Sequence, residues 1–514
     1  MSKQTCFTAL SNPLQKFLDK PSQEFTRADM LRAIEHFEIK QLTFHYTGLD
    51  GKLHELNLPF SELPRAEQLL AMGERVDGSS LFKGVVDPAK SDLYVVPKYS
   101  SAFLSPFVEN SLDFICRFVD SEGKLAAFPP DNVLELAAAR LTKNTGYTLR
   151  ALGELEFYLI DGVEPNDYYP IEPQAGYHAS LPFFKNNNIL REMTDLVQQC
   201  TGAVKYSHAE VGYIPNLVSH EETLNNHRAE QYEIEMLPTP IADMGDHLVL
   251  ARWIIRNVAA QYGMLATFAP KLMVGMAGSG YHVHVELCKD GQNAMLTDGK
   301  INEVALRTIG GLTRYAQELS AFGNTVAASY MRLVPHQEAP TRICWSYSNR
   351  SSLVRIPLGW RNATDLSRLV NAQQDEEYHP YTGSQTVELR SPDGSAHTYM
   401  LLAGMTTAIE WGLTSPEALD YAEGCRIDGD VNSSPKRDSL LELPQSCDQS
   451  AQMLEEHRAY FDEFGVFPKE LIDHAINVLR NEKDSDLDVQ LNSLSIERAG
   501  QLRQVVMHRG IHRY

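Results

Sequence analysis

Gly153-Glu154-Leu155-Glu156-Phe157-Tyr158 and Gly280-Tyr281-His282-Val283-His284-Val285-Glu286 are the two stretches whose reading decides the fold. Side chains alternate across a strand, so Glu154 and Glu156 share one face in the first, and His282, His284 and Glu286 share one face in the second. Apolar residues occupy the reverse face of both. The pattern returns in Gln231-Tyr232-Glu233-Ile234-Glu235 and in Val387-Glu388-Leu389-Arg390. A single strand of this kind is readily accommodated as a surface strand with one wet face. Four of them in one curved sheet would line its concave side with Glu and His, which is costly unless cations neutralise it. Divalent metals are the economical explanation, and a donor set dominated by carboxylates favours Mg²⁺ or Mn²⁺ over zinc.

Three arginines in a short span stand beside this acidic face. Arg332 precedes the loop-like run Leu333-Val334-Pro335-His336-Gln337-Glu338-Ala339-Pro340, and Arg350 and Arg355 follow in Asn349-Arg350-Ser351 through Arg355-Ile356-Pro357. Guanidinium groups clamp phosphate or carboxylate by paired hydrogen bonds. Metals and arginines together indicate phosphoryl transfer. No Gly-x-x-x-x-Gly-Lys-Ser/Thr loop is present, so the chain is not a P-loop enzyme. From the residues alone, a two-metal phosphohydrolase remains a possible reading.

Working outward, Thr26-Arg27-Ala28-Asp29 reads as a capping box, with Met30, Leu31, Ile34 and Phe37 at helical spacing. Alternation in Leu42, Phe44 and Tyr46, a turn at Asp50-Gly51, and renewed alternation from Leu53 to Leu58 predict a hairpin in a small mixed domain. Pro129-Pro130 opens a predicted helix, and the boundary of a larger unit is set just before it. The expected organisation is a 1–24 extension, a 25–127 domain, a 128–490 domain and a 491–514 basic tail.

Composition narrows the function classes. At 514 residues the chain has the length of about three ~150-residue domains. With 46 Lys plus Arg against 67 Asp plus Glu, its net charge of −21 argues against a nucleic-acid partner or an anionic membrane surface. Seven scattered cysteines without a Cys-x-x-Cys pair argue against a disulfide framework, and no signal or spanning segment is read. A cytoplasmic location is the expectation.

The chain resembles bacterial type I glutamine synthetases from about Phe25 to about residue 480. The matching segments occur in the family's order: Glu74-Arg75-Val76-Asp77-Gly78-Ser79-Ser80, the Glu154 strand, His208-Ala209-Glu210-Val211, Glu230-Gln231-Tyr232-Glu233, Thr267-Phe268-Ala269-Pro270-Lys271, the Gly278 to His284 run, the Arg332, Arg350 and Arg355 segments, and Val387 through Asp393. The resemblance implies an α+β architecture: a small N-terminal β-grasp-like domain and a larger catalytic domain whose curved antiparallel sheet forms a funnel-like active site flanked by helices.

It also implies roles. Glu156, Glu210 and Glu233 match the ligands of one divalent metal, and Glu154, His282 and Glu388 those of a second on the nucleotide side. Gly278 and Arg332 match positions that hold glutamate. Arg350, Arg355 and Arg390 match positions near the transferred phosphate, with Arg390 counted also toward glutamate and His284 toward ATP. Glu338 resembles a flap carboxylate, and Asp77 a residue that binds ammonium and helps deprotonate it in a neighbouring subunit's site. The expected reaction is ATP-dependent ligation of ammonia to glutamate with two or more Mg²⁺ or Mn²⁺ ions, in a homododecamer of two stacked hexameric rings. A γ-glutamyl-amine ligase of the same fold and a non-catalytic descendant are the alternatives. Departures from the family pattern include Ala277, Glu286, Lys205, a Tyr213–Arg228 insertion between Glu210 and Glu233, and an unfamiliar C-terminus.

Overall fold

A computed structural model describes residues 7–87, 89, 91–162, 168–334, 339–359, 366–376 and 385–514. The N-terminal sheet contains β1 (Gln41–Thr47), β2 (Leu53–Pro59), β3 (Glu74–Asp77), β4 (Asp92–Pro97), β5 (Phe103–Leu104) and β6 (Ser111–Val119). Its order is β2-β1-β6-β4-β3, with β5 on β6. β1 and β2 form the predicted hairpin, while β1 and β6 run parallel, so the intervening chain crosses over. The helix Arg27–His36 carries the capping box read from the sequence, and its Met30, Ala33 and Ile34 pack into a core with Leu42, Phe44, Phe114 and Phe118. This is the expected β-grasp domain.

The larger sheet comprises β7 (Thr148–Asp161), β8 (Val204–Leu217), β9 (His227–Met236), β10 (Thr239–Pro240), β11 (Leu265–Thr267), β12 (Val283–Lys289), β13 (Gln292–Asn293), then, after the small hairpin of β14 (Leu296–Thr297) and β15 (Lys300–Ile301), β16 (Trp345–Tyr347), β17 (Val354–Ile356) and β18 (Val387–Leu389). Its path is β16-β17-β18-β12-β7-β9-β8. All four patterned segments therefore lie in one curled sheet, in an α+β fold. Leu155, Phe157, Val283, Val285, Val387 and Leu389 point into a core shared with the helices Pro130–Thr145, Ile241–Gln261 and Thr398–Thr414. Burial of that reverse face leaves the Glu and His face turned to the cleft.

An ionic lock joins the two domains. Asp246, on the helix Ile241–Gln261, accepts from Arg117 Nη2 of β6 at 2.8 Å, from Lys98 Nζ at 3.0 Å and from the Tyr399 hydroxyl at 2.9 Å. Burial pushes its carboxyl up, but Arg117 and Lys98 outweigh burial and hold it well below the usual carboxylate range. Asp246→Ala should cost about 1.5–3 kcal/mol at neutral pH, because Arg117 and Lys98 lose their most buried carboxylate while keeping Glu135 and Asp243. A depressed acid stabilises the fold above its ordinary value of ~4, and that stabilisation is lost as pH falls through the folded value. The thermal-unfolding gap between the two proteins should accordingly narrow in acid; a constant gap would contradict the assignment.

The inserted segment lengthens the β8–β9 hairpin, and the C-terminal helix Ile496–His508 docks on it. His508 pairs its Nδ1 with Ser219 Oγ at 3.0 Å and its Nε2 with the Leu272 carbonyl at 2.8 Å, and its ring stacks on His220. The Thr267 hydroxyl donates to the Ile511 carbonyl. The β8–β9 hairpin and the C-terminal helix thus hold each other. The six described cysteines are free thiols, and no helix among the described residues is long and apolar enough to cross a membrane.

Candidate active site

Strand register brings like charges side by side. In the antiparallel β7–β9 ladder, Glu156 faces Glu233 and Glu154 faces Glu235, while β8 sets His208 opposite Glu233. On the other flank, β12 sets His284 opposite Glu388, and β17 sets Arg355 opposite Glu388. Directly opposed carboxylates destabilise a sheet, so these pairs require a compensating charge. A cleft of about 540 Å³ opens above them. It is lined by Glu154, Glu156, Glu210, Glu233, His282, His284, Gly278, Arg332, Arg350, Arg355 and Arg390. Eleven residues singled out from the sequence therefore converge in one place.

Three other residues are placed differently. Glu388 is fully buried beneath the cleft, where it accepts from Arg355 Nη1 at 2.8 Å and from Arg390. Asp77 is exposed on the β-grasp domain, outside the residues lining this chain's own cleft. There it caps a short turn, accepting from the Ser79 hydroxyl at 2.6 Å, the Ser80 hydroxyl at 2.8 Å and the Ser79 amide at 2.8 Å, and these bonds lower its pKa. Glu338 lies outside the described residues.

Three constellations could each hold an ion: Glu154, His284 and Glu388; His208, Glu210 and Glu233; and Glu154, Glu233 and Glu235, the ligand atoms of each lying within 4.8 Å of one another. His282 meets Glu154 at 2.7 Å through Nδ1 and approaches Glu388 at 4.0 Å. Glu156 is turned to the Gly280 amide at 2.7 Å. A Cβ on Gly280 would meet His282 Nε2 at 2.7 Å and Glu156 Oε1 at 2.9 Å, so any larger residue there would displace those side chains. At Gly278 it would meet the Pro270 carbonyl at 2.5 Å and the Arg332 side chain at 2.9 Å.

Electrostatics divide the cleft into two halves. On the β12–β18 side, burial pushes Glu154 up but His284 and His282 outweigh it, so its carboxyl is held well below the usual range. Glu388 is likewise lowered, with Arg390 and His284 overcoming burial. On the β8–β9 side protein cations compensate only in part, Lys205 engaging Glu235 and Arg350 drawing Glu210 down less than its surroundings push it up. Burial and then Glu156 push Glu210 up to about 7, and burial with Glu154, Glu156, Glu210 and Glu235 pushes Glu233 well above its ordinary value. Glu235 Oε2 is buried without a hydrogen-bond partner. A set of oxygen donors short of positive charge, with an orphaned carboxylate oxygen, fits a hard divalent ion. Ligands must be deprotonated to bind, so Mn²⁺ affinity should rise as pH rises through the value of about 7 at Glu210. Calorimetry in two buffers of different ionisation enthalpy should register proton release on binding below that pH; affinity flat across it would remove Glu210 from the set.

His208, Glu235, Lys205 and Gln231 also line the cleft, and the sequence reading assigned none of them a role in the site. Gln231 donates to Glu156 Oε2 at 3.3 Å and to the Gly278 carbonyl at 3.0 Å, fastening two walls together. Lys205 Nζ reaches Glu235 at 2.6 Å. The signal was present: His208 stands two before Glu210 and Glu235 two after Glu233, the same-face spacing already used for Glu154 and Glu156. Two of the departures are accounted for. Glu286 pairs with Arg150 at 3.0 Å and accepts from Asn293 at 3.1 Å, away from the cleft lining, while Ala277 is held through its carbonyl by the Tyr158 hydroxyl at 2.9 Å.

Comparison with known proteins agrees with this geometry. The family model described as the catalytic domain of glutamine synthetase matches residues 128–492, and that described as its β-grasp domain matches residues 38–121. Glutamine synthetase of Methylococcus capsulatus is 28% identical over 483 residues, 89% of this chain and 96% of that protein. That of Pyrococcus horikoshii is 31% identical over 377 residues, 72% of this chain and 73% of the relative. Among solved structures, Plasmodium falciparum glutamine synthetase superposes with a TM-score of 0.70 at 19% identity, covering 92% of this chain and 98% of its own. Apo GmaS superposes with a TM-score of 0.68, also at 19% identity and with the same coverages.

Proposed function

The chain belongs to the glutamine synthetase family, and from that premise we propose that it joins ammonia to the γ-carboxylate of L-glutamate, converting ATP to ADP and phosphate. The observation that carries this reading is the single cleft in which Glu154, Glu156, Glu210, Glu233, His282 and His284 face Arg332, Arg350, Arg355 and Arg390. A carboxylate is a poor acyl donor, so the reaction needs two steps. In the first, a γ-carboxylate oxygen of glutamate attacks the γ-phosphorus of ATP, the bond to the β-phosphate oxygen breaks, and ADP leaves. In the second, ammonia attacks the acyl carbon of γ-glutamyl phosphate, the C–O bond breaks, and inorganic phosphate leaves.

The residues divide this work. Arg332, above the Gly278 backbone, is suited to the glutamate carboxylates. Arg350, Arg355 and Arg390 are suited to the phosphate oxygens, where fixed donors stabilise charge developing in transit. Glu156, Glu210 and Glu233, with His208, would hold one Mg²⁺ or Mn²⁺, and Glu154, His282 or His284, and Glu388 a second. Such ions, when bound, offset the charge of the triphosphate. Asp77 would attract NH₄⁺ and take its proton, and Glu338 would close over the intermediate and exclude water. Because Asp77 stands outside its own chain's cleft, the complete site is assigned to a subunit boundary in a ring, two stacked hexamers making a cytoplasmic dodecamer.

A second reading, ligation of an organic amine, has one observation in its favour. Tyr177, Tyr206 and His208 line the cleft beside Glu210 and Glu233, with the His178 ring between Tyr177 and His208 at 4.3 and 4.4 Å, and aromatic faces suit alkylammonium groups. The intact Asp77-Gly78-Ser79-Ser80 loop favours ammonium. Phosphate release from ATP with Mg²⁺ or Mn²⁺, comparing ammonium, putrescine and ethanolamine, with the product identified by mass, separates the readings. Glutamine formed only with glutamate and ammonium supports the first; product only with an amine moves the protein to the amine ligases.

A further inference from the structure

One constellation of the cleft is already supplied with a cation by the protein itself. Glu154, Glu233 and Glu235 offer oxygens within 4.8 Å of one another, and Glu235 faces Glu154 across the β7–β9 ladder. Glu235 is buried, its Oε2 has no hydrogen-bond partner, and its Oε1 accepts from Lys205 Nζ at 2.6 Å. The same ammonium stands 5.0 Å from the centre of the Tyr206 ring, whose face attracts a positive charge. The backbone brings the lysine there. Val204 pairs with Met236 and Tyr206 with Glu235, so Lys205 is an extra residue in β8, a bulge, and bulges re-aim side chains. Strict alternation would send Lys205 and Tyr206 to opposite faces. Instead Val204 packs against the core, while Lys205 and Tyr206 both line the cleft.

Charge balance gives the position its meaning. Strands β7, β8 and β9 turn five carboxylates to the cleft: Glu154, Glu156, Glu210, Glu233 and Glu235. Glu388 stands apart, engaged by Arg355 and Arg390. Histidines that bind a metal are neutral, and Arg332 and Arg350 are assigned to the negative charge of the substrates. Two divalent ions supply four positive charges, and Lys205 supplies the fifth. A third ion on Glu235 would sit beside the ammonium and be repelled, because like charges this close in a partly buried site are only weakly screened. Without the ammonium, Glu235 would be a buried carboxylate with no cation of the protein beside it, which an ion from solution would correct.

We propose that Lys205 is a resident cation standing in for a third divalent ion: it holds the Glu235 corner of the cleft and limits each nucleotide-free chain to two ions. The inference rests on the metal assignment made above and concerns how many ions the cleft takes, which the choice of nucleophile does not touch.

The test counts Mn²⁺ ions bound to the full-length protein, stripped of metal by chelation and free of nucleotide, by calorimetry and by the electron paramagnetic resonance signal of unbound Mn²⁺. The unaltered protein should saturate at two ions per chain and Lys205→Met at three. Lys205→Arg keeps the charge and should saturate at two. So should Lys205→Met combined with Glu235→Gln, which takes away the carboxylate that the third ion needs. With 41% of its side chain exposed, the position should tolerate these changes; should Lys205→Met fail to fold, Lys205→Gln takes its place with the same expected count. Two ions in both the unaltered protein and the neutral variant, or three in the unaltered protein, would overturn the proposal and leave the metal assignment standing. No saturable binding in either would overturn the metal assignment, and the proposal with it.

Discussion

Glu233→Gln should reduce glutamine formation by roughly a thousand-fold or more while raising the melting temperature of the metal-free protein. The two effects share one cause. Glu233 sits opposite Glu156 on β7 and His208 on β8, and burial plus four neighbouring carboxylates push its pKa well up. Its charge is thus unfavourable to the empty fold and is kept for what it binds. An amide of the same shape removes the repulsion, and with it a ligand oxygen whose charge the phosphoryl-transfer chemistry needs; losing one such electrostatic contact costs ~10²–10³ in rate, and losing an ion costs more. Activity by phosphate release, Mn²⁺ affinity by calorimetry and melting without metal give three independent readouts. A variant that loses activity and also melts lower would mean that Glu233 is a structural residue.

Asp77→Ala should lower ammonia-dependent turnover by ~10²–10⁴-fold, the range for loss of a positioned proton acceptor, while leaving ATP binding near its original value. Asp77 is exposed, and its carboxylate is organised only by Ser79 and Ser80, so its removal disturbs neither the cleft nor the core. The decisive version mixes subunits. If Asp77 acts in a neighbour's site, co-assembling Asp77→Ala with Glu233→Gln chains should restore part of the activity, because some boundaries then pair an intact loop with an intact cleft. Failure of mixed assemblies to regain activity, alongside equal loss of ATP binding and turnover in the single variant, would sink both the role and the shared site.

The period-two patterning of Glu154/Glu156, His282/His284, Glu233/Glu235 and Glu388 was enough to assign one sheet with one charged face, because alternation across a strand is a local property of the backbone. The Thr26 capping box and the Pro130 helix start were legible for the same reason. Register was not. That Glu156 meets Glu233 and His284 meets Glu388 depends on pairing between strands far apart in the chain, and a slip of one residue would have turned the face inward. For that reason the ordered motifs pointed to candidate ligands, while the structure showed which donors converge and brought His208 among them.

The sequence by itself determined the α+β plan, the acidic face and its arginine border, all written in local spacing and motif order. Only the tertiary structure decided three things. The insertion became an extended hairpin clasped by the C-terminal helix, a contact between segments nearly 290 positions apart. The Asp246 lock came from three elements that no periodicity links. The facing of Glu156 by Glu233 and of His284 by Glu388 was the third, since whether a charge is compensated depends on distance in space and not on distance along the chain.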